Sequence, residues 1–472
     1  MATHLVWLRN DLRVCDNPAL FAACGSGERV VALYIHETDE NIRAPGAAAR
    51  WWLHESLSSL AGSLNKTGIE FRVESGRAGS VVDRVRREVG AEAVHWNRRY
   101  APGQRAVDAA IKSSLRESGI SVSSHAGNVL REPWEIETGQ GKPYSVFTPF
   151  WKALKECAIA APLKRPERPG NAVRPGGIDD DYRMPKWSEK LRDHWSVGES
   201  AAQDALEEFL EQSVLHYPEG RDYPARHATS RLSPHLRFGE ISARQIWHSA
   251  KAFAHAHPEQ SAAVEKFLSE LAWRDFSYHQ LYHRDDIASV PMVEKYRDLK
   301  WRHAPAQIKA WQTGQTGIPM IDAGMRELWE TGYMHNRVRM LVASFLTKNM
   351  LIDWRQGENW FWDCLVDADD ANNPASWQWV AGSGLDAAPY FRIFNPVTQG
   401  ERFDAEGDYV RKWVPEVASL PDKFIHNPSG APEKVLISAS IKLGEDYPRA
   451  MVDLKETRRR ALDAFGALSA DR

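Results

Sequence analysis

The sequence predicts two folds in series, an α/β domain on a doubly wound parallel sheet and then an all-α domain. Three observations predict this. Short β-branched runs alternate with helical patterns through residues 1–130, a proline-, arginine- and glycine-rich stretch follows, and beyond it helical periodicity continues with scarcely any strand signal.

Taken in order, residues 5–8, 30–35, 70–73, 93–96 and 120–123 read as strands, and residues 47–64, 79–89 and 104–117 read as helices between them. Such alternation predicts a parallel sheet with helices on both faces, the doubly wound type that binds nucleotides. Neither a GxGxxG nor a Walker A motif accompanies it. From Ala161 to about Trp195 the composition turns to proline, arginine and glycine, as in Lys164-Arg165-Pro166-Glu167-Arg168-Pro169-Gly170, with an acidic run at Asp179-Asp180-Asp181. That composition marks an interdomain connector. Helices are expected next at 201–212, 240–254, 262–283 and 321–350. The expected organisation is therefore an α/β domain over 1–130, a linker over 131–197 and a helical domain over 198–472.

A chain of 472 residues with 43% hydrophobic content can fill two or three domain cores. The formal net charge of -3 gives no global attraction to nucleic acid, so contact with DNA requires a locally basic groove. Cys15, Cys24, Cys157 and Cys364 form no CxxC pair, which argues against a zinc module, an iron-sulfur cluster or a disulfide framework and suits reduced thiols in a cytoplasm. No apolar run reaches the roughly 18 residues that span a bilayer, and the amino terminus passes from Leu5-Val6-Trp7-Leu8 into charged residues, so neither an anchor nor an export signal is expected. Of 19 tryptophans, ten lie between Trp273 and Trp413. Indoles pack cores, but they also stack on bases and carry single electrons.

Three segments gather residue types suited to chemistry. Glu270, Trp273 and Arg274 fall at i, i+3 and i+4, hence on one helix face, although an ion pair beside a core tryptophan has the same pattern. Asn336, Arg339 and Met340 share a face in the same way, with Arg337 turned to a neighbouring direction; a solvated basic face is the plain alternative. The run Asp367-Ala368-Asp369-Asp370-Ala371-Asn372-Asn373-Pro374-Ala375-Ser376-Trp377-Gln378-Trp379 begins like a metal loop but lacks the glycine and terminal glutamate of an EF-hand. If its end is helical, Asn373 and Trp377 face one way and Trp379 nearly the other.

Pooled with Tyr217-Pro218-Glu219-Gly220-Arg221-Asp222, Thr229-Ser230-Arg231-Leu232-Ser233, Asp386-Ala387-Ala388-Pro389-Tyr390-Phe391-Arg392-Ile393-Phe394-Asn395-Pro396 and the opening Leu8-Arg9-Asn10-Asp11-Leu12-Arg13, these segments resemble the photolyase/cryptochrome family over nearly the whole chain. The resemblance implies an FAD folded into a U within the helical domain. Tyr217 and Thr229, Ser230, Arg231, Leu232 and Ser233 match positions that hold its phosphates and ribityl chain, and Phe267 stands where many relatives have a tryptophan on the adenine side. Arg339 and Asp367 match an ion pair over the flavin ring, Asp369 a second ring contact, and Asn373 the residue opposite flavin N5. Trp377, Trp354 and Trp301 match an electron relay, and Trp377 shares the Asn373 face on helix geometry as well. Trp360 and Trp362 are read as core packing.

The resemblance further implies that Glu270, Trp273, Asn336, Met340 and Trp379 receive a flipped-out pyrimidine dimer, and that Arg221, Arg274, Arg337, Arg392 and Gln399 contact DNA phosphates. Base extrusion is a known property of enzymes that act on bases, photolyases among them. Histidine pairs of the (6-4) type are replaced by Asn336 and Met340, plant cryptochromes carry Asp where this chain has Asn373, and cryptochromes usually extend past the shared core whereas this sequence stops at Arg472. The expectation is therefore light-driven repair of cyclobutane pyrimidine dimers by electron transfer from reduced FAD, with a signalling photoreceptor as the alternative. An antenna chromophore of the reduced-folate class (methenyltetrahydrofolate), UV-damaged DNA as partner, a monomeric state and a cytoplasmic location complete it.

Overall fold

The computed structural model describes residues 2–25, 29–166, 184–386 and 392–470. The acidic run Asp179-Asp180-Asp181 and most of the Lys164–Gly170 stretch, together with residues 387–391 of the Asp386–Pro396 segment, lie outside the described residues. The chain clusters into two units: Met1–Leu215, Ser230–Asp285 and Val366–Ala371 form the first, and His216–Thr229, Asp286–Leu365 and Asn372–Arg472 form the second.

The first unit is built on five parallel strands, β1 (Thr3–Leu8), β2 (Arg29–Glu37), β3 (Glu70–Gly76), β4 (Ala91–Asn97) and β5 (Ser121–His125), in the order β3-β2-β1-β4-β5. All five expected strands are present; the first four run two or three residues past their apolar cores because ladder pairing extends into polar ends, and β5 is shifted one residue and lengthened by one. Side chains alternate across the pleat. Leu5, Trp7, Val31, Leu33 and Ile35 join one buried cluster with Val82 and Val85, whereas Val6, Leu8, Val30 and Ala32 join another with Trp51, Trp52 and Leu57. A sheet apolar on both faces needs helices on both, and the helices Ala47–Lys66 and Ala78–Val89 supply them.

The order reverses between β1 and β4, the place where doubly wound sheets usually open a crevice for a ligand. Charged side chains from the ends of β1, β2 and β4 are linked to one another and to Asp108. Arg99 bonds Glu37 at 2.5 Å and Asp108 at 2.6 Å, Arg9 bonds Asp108 at 3.2 Å, and Arg9 lies 4.3 Å over the Trp7 ring. Two helices of this unit, Pro18–Gly25 and Phe147–Glu156, were not among those expected; both are short, eight and ten residues, the first almost wholly apolar and the second burying Phe147, Phe150 and Leu154.

Later helices of the first unit are Glu199–Glu208, which passes into a π turn at Phe209–Ser213, Ala243–Ala256 and Ser261–His283. The second of these starts three residues later than expected. Ser242 caps it by accepting the Gln245 N–H while the Gln245 side chain accepts the Ser242 N–H, so the chain ahead of Ser242 stays outside the helix.

In the second unit the single helix expected over 321–350 is two helices, Pro319–Thr331 and Asn336–Ser344, the latter followed by a π turn at Phe345–Asn349. The break has a local cause: Gly332 takes φ +67°, its N–H closes onto the Leu328 carbonyl, and His335 starts the next helix by accepting the Arg337 N–H on Nδ1. The helices Trp354–Cys364 and Asn372–Ala381 pack against this group, and Leu454–Ala470 packs on the π turn.

Candidate active site

The Asn372–Ala381 helix carries the polar residue most suited to a redox ring. Asn373 is buried, and its Nδ2 donates to the Glu358 carboxylate at 2.8 Å and to the Glu358 carbonyl at 3.1 Å. Those two bonds orient the amide and leave Oδ1 as the acceptor side. One turn on, Trp377 is 2% exposed, with Phe361 edge-on at 5.0 Å and Trp311 at 6.3 Å. The expected shared face of Asn373 and Trp377 is thus a helical face, and Trp379 on the other side is only partly buried. Trp354 is fully buried and Trp301 half-buried; the indole N–H groups of Trp354 and Trp377 have no acceptor among the described residues. Trp311, whose Nε1 donates to the Val342 carbonyl, is an aromatic neighbour that the sequence pointed to only through its tryptophan density.

The start of the Asn336–Ser344 helix presents Asn336 to solvent and Arg337, Arg339 and Met340 at its margin. Arg339 Nε donates to the Met334 carbonyl at 2.6 Å and its guanidinium lies 5.1 Å from the Tyr333 ring. Arg337 pairs with Asp222 at 2.7 Å, and Arg221 lies 5.4 Å over the buried Tyr217 ring. His335 is held in the neutral form, its pKa pushed down to about 4 mainly by burial and then by Arg339, Arg337 and Arg221 against the opposing pull of Asp222. Thr229 is half-buried, Arg392 exposed and Gln399 half-buried, its buried Oε1 having no donor among the described residues.

In the first unit, Arg231 adopts φ +51°, an unusual conformation for a residue with a Cβ and one that marks a constrained turn. Its guanidinium stacks 4.0 Å from the Trp195 ring. Leu232 N–H reaches Ser230 Oγ at 3.5 Å, and Ser233 Oγ donates to Asp367 at 2.6 Å. Asp369 accepts from the Ala371 N–H at 2.9 Å and the Tyr278 hydroxyl at 3.3 Å. Phe267 is buried against Phe209 at 4.6 Å, which explains why an apolar ring serves there.

Glu270, Trp273 and Arg274 do share the Ser261–His283 helix, but each has a protein partner the spacing did not reveal. Glu270 pairs with Lys266 at 2.8 Å. Trp273 stacks on Phe147 at 3.7 Å and 10°, so one face of the indole is occupied. Arg274 is 12% exposed, paired with Asp275 at 3.1 Å and 4.8 Å over Tyr278, which turns it inward rather than toward a surface groove. Burial pushes Asp275 up to about 6 in spite of that arginine.

Each unit holds donors whose chemistry suits part of FAD. In the first, the hydroxyls and guanidinium of Ser230, Arg231 and Ser233 suit phosphates and the carboxylates of Asp367 and Asp369 suit ring or sugar donors; in the second, the oriented Asn373 amide suits a ring whose charge changes.

Comparison with known proteins adds the following. A model described as the FAD binding domain of DNA photolyase matches residues 267–467, and one described as DNA photolyase matches residues 4–168. The chain is similar to a deoxyribodipyrimidine photo-lyase of Agrobacterium fabrum, 45% identical over 99% of this chain and 98% of that one. It is also similar to cryptochrome-2 of Arabidopsis thaliana, 35% identical over 96% of this chain and 77% of that one. A crystal structure of a bacterial class III photolyase from Agrobacterium tumefaciens superposes with a TM-score of 0.94 at 45% identity, covering 100% of this chain and 98% of that one.

Proposed function

The chain belongs to the photolyase/cryptochrome family, and from that premise we propose that it is a deoxyribodipyrimidine photo-lyase, an enzyme that repairs cyclobutane pyrimidine dimers in DNA with light. The observation that carries this reading is the full-length similarity to a deoxyribodipyrimidine photo-lyase at 45% identity. Bound reduced FAD supplies a light-absorbing electron donor, and the protein supplies binding, orientation and charge.

Tyr217, Thr229, Ser230, Arg231, Leu232, Ser233, Phe267, Arg339, Asp367 and Asp369 are assigned to holding FAD. Asn373 is assigned to the ring edge: a neutral amide accepts an anionic neighbour that a carboxylate would repel unless protonated. Trp377, Trp354 and Trp301 are assigned to the electron relay. For the lesion, the rings of Trp273 and Trp379 are assigned as stacking surfaces, worth roughly 1 to 3 kcal/mol per base. Asn336 and Met340 line the dimer, and Glu270 holds a hydrogen bond to it and steadies the charge that develops there. Arg221, Arg337, Arg392 and Gln399 are assigned to the DNA backbone, with Arg274 supporting the lesion helix from within.

An antenna of the reduced-folate class (methenyltetrahydrofolate) belongs to this reading. The reading also carries a monomer acting in the cytoplasm; no described helix is long and apolar enough to cross a membrane.

The plant cryptochrome similarity favours one alternative, a blue-light receptor without repair. Illumination of the reduced protein with an oligonucleotide containing a thymine dimer separates the two. Restored thymines are expected; an intact dimer with fully reduced FAD present defeats the repair reading and leaves the receptor.

A further inference from the structure

Lys348 is buried at 3% exposure in the π turn that follows the Asn336–Ser344 helix, and its Nζ donates to the Arg392 carbonyl. One turn earlier on the same helix, Ser344 Oγ accepts the Phe394 N–H at 3.2 Å. Two side chains four residues apart thus grip the backbone of residues 392–394. The same helix begins with Asn336 and Arg337, so whatever fixes its far end to residues 392–394 also fixes Arg392 relative to those groups. A π turn inserted at a helix end is an uncommon irregularity and is frequent at functional sites. Arg392 itself is exposed.

We propose that Lys348, with Ser344, rivets the Arg392–Phe394 segment in place and is thereby a positioning residue for DNA binding, an inference that rests on the reading of Arg392 as a backbone contact.

The electrostatics agree with the geometry. A buried ammonium is costly unless its protons find acceptors, and a carbonyl is such an acceptor. Burial and the Arg392 guanidinium push the Lys348 pKa down to about 7. Among charges on the elements packed against this turn, Arg460 is engaged on the Asn349 carbonyl and Glu358 on Asn373, and nearby Arg302 holds the Met350 carbonyl. Below pH 7 the charged lysine makes the stronger bond and adds positive charge beside Arg392; above it both contributions fade. DNA affinity therefore falls as pH rises through 7.

The test uses the full-length FAD-loaded protein and a duplex carrying one thymine dimer, with amide exchange of the free protein as a second readout. Lys348→Met is expected to speed exchange at residues 392–395 and to weaken DNA binding roughly tenfold at pH 6, the size of a lost charge-assisted hydrogen bond. Lys348→Gln keeps a donor without the charge; it is expected to hold exchange near the parent and to bind DNA with no pH dependence between 6 and 8.5. Unchanged exchange in Lys348→Met overturns the rivet. Faster exchange with parental affinity overturns its role in DNA binding. If Lys348→Met does not accumulate as folded flavoprotein, Lys348→Gln decides alone: a parental pH profile overturns the proposal. Arg392→Ala is the separate control, because parental affinity there defeats the DNA reading of Arg392 whatever the exchange shows.

Discussion

At position 373 the choice between amide and carboxylate is a choice of charge inside a buried contact. Asn373 donates to Glu358 twice, so Asn373→Asp removes a donor and sets two carboxylates against each other. One of the pair must then hold a proton, and its folded-state pKa rises above the unfolded value. A raised carboxyl pKa means stability lost as pH climbs through it. Asn373→Asp is therefore expected to melt below the parent by ~1 to 3 kcal/mol at pH 8 and to recover part of that at pH 5.5, as thermal melts at the two pH values will show. A constant deficit across that range counts against a charge origin. Glu270→Ala, by contrast, removes a pair with Lys266 at half-exposed surface, and lower repair yield with full flavin content is expected; a parental yield removes Glu270 from the lesion contacts. Spacing made the Asn373 and Trp377 face legible, because four residues on a helix define a direction. It was silent on Glu358, fifteen residues from Asn373, and on Phe147, whose ring covers one side of Trp273, since neither partner shares a helical turn with the residue it serves.

Elements are set against one another by close approach as much as by apolar stripes. The Trp354–Cys364 and Asn372–Ala381 helices meet where Gly357 faces the Trp377 ring, and a Cβ on Gly357 would lie 2.1 Å from its Cη2 and 2.6 Å from Leu346 Cδ2. Only glycine lets the indole lie there. Gly357→Ala is expected to cost ~1 to 3 kcal/mol by overpacking and, by displacing the ring, to slow flavin photoreduction severalfold without touching a residue assigned to FAD. Trp377→Phe is expected to slow it further. Should Gly357→Ala melt lower yet photoreduce at the parental rate, the position of Trp377 does not limit the relay. At this scale the sequence showed where helices run but not where they stop. Apolar spacing carries on through Gly332 as though the 321–350 helix were whole, and the stop comes from one left-handed glycine and a histidine cap that periodicity cannot weigh.

The architecture of the whole molecule was legible because strand and helix periods differ and alternate cleanly through the first unit. That residues 230–285 and 366–371 cluster with the amino-terminal part was not, since returning segments leave no trace in local pattern. Nor was the molecule's response to acid, which depends on buried groups brought together by the fold. His95, His279 and His335 are each pushed down to about 4, burial being the main cause, with neighbouring histidines adding at His95 and His279 and arginines at His335. Two of them use their neutral ring as an acceptor, His279 Nε2 for the Tyr144 N–H and His335 Nδ1 for the Arg337 N–H, so protonation breaks a bond as well as burying charge. At these three rings the unfolded chain takes up protons near pH 6.5 that the folded one refuses until about 4, so the stability they contribute is full at pH 7 and drains away between 6.5 and 4. Asp275, raised to about 6, acts the other way: the folded protein binds a proton between about 6 and 4 that the unfolded chain does not, which offsets one histidine. Each uncompensated proton is worth about 1.4 kcal/mol per pH unit. His279→Gln keeps an acceptor and a donor while removing one titration, and its denaturant midpoint is expected to fall less steeply than the parent's from pH 6.5 to 4.5. Parallel curves for the two proteins would show that acid sensitivity lies elsewhere than in this buried ring.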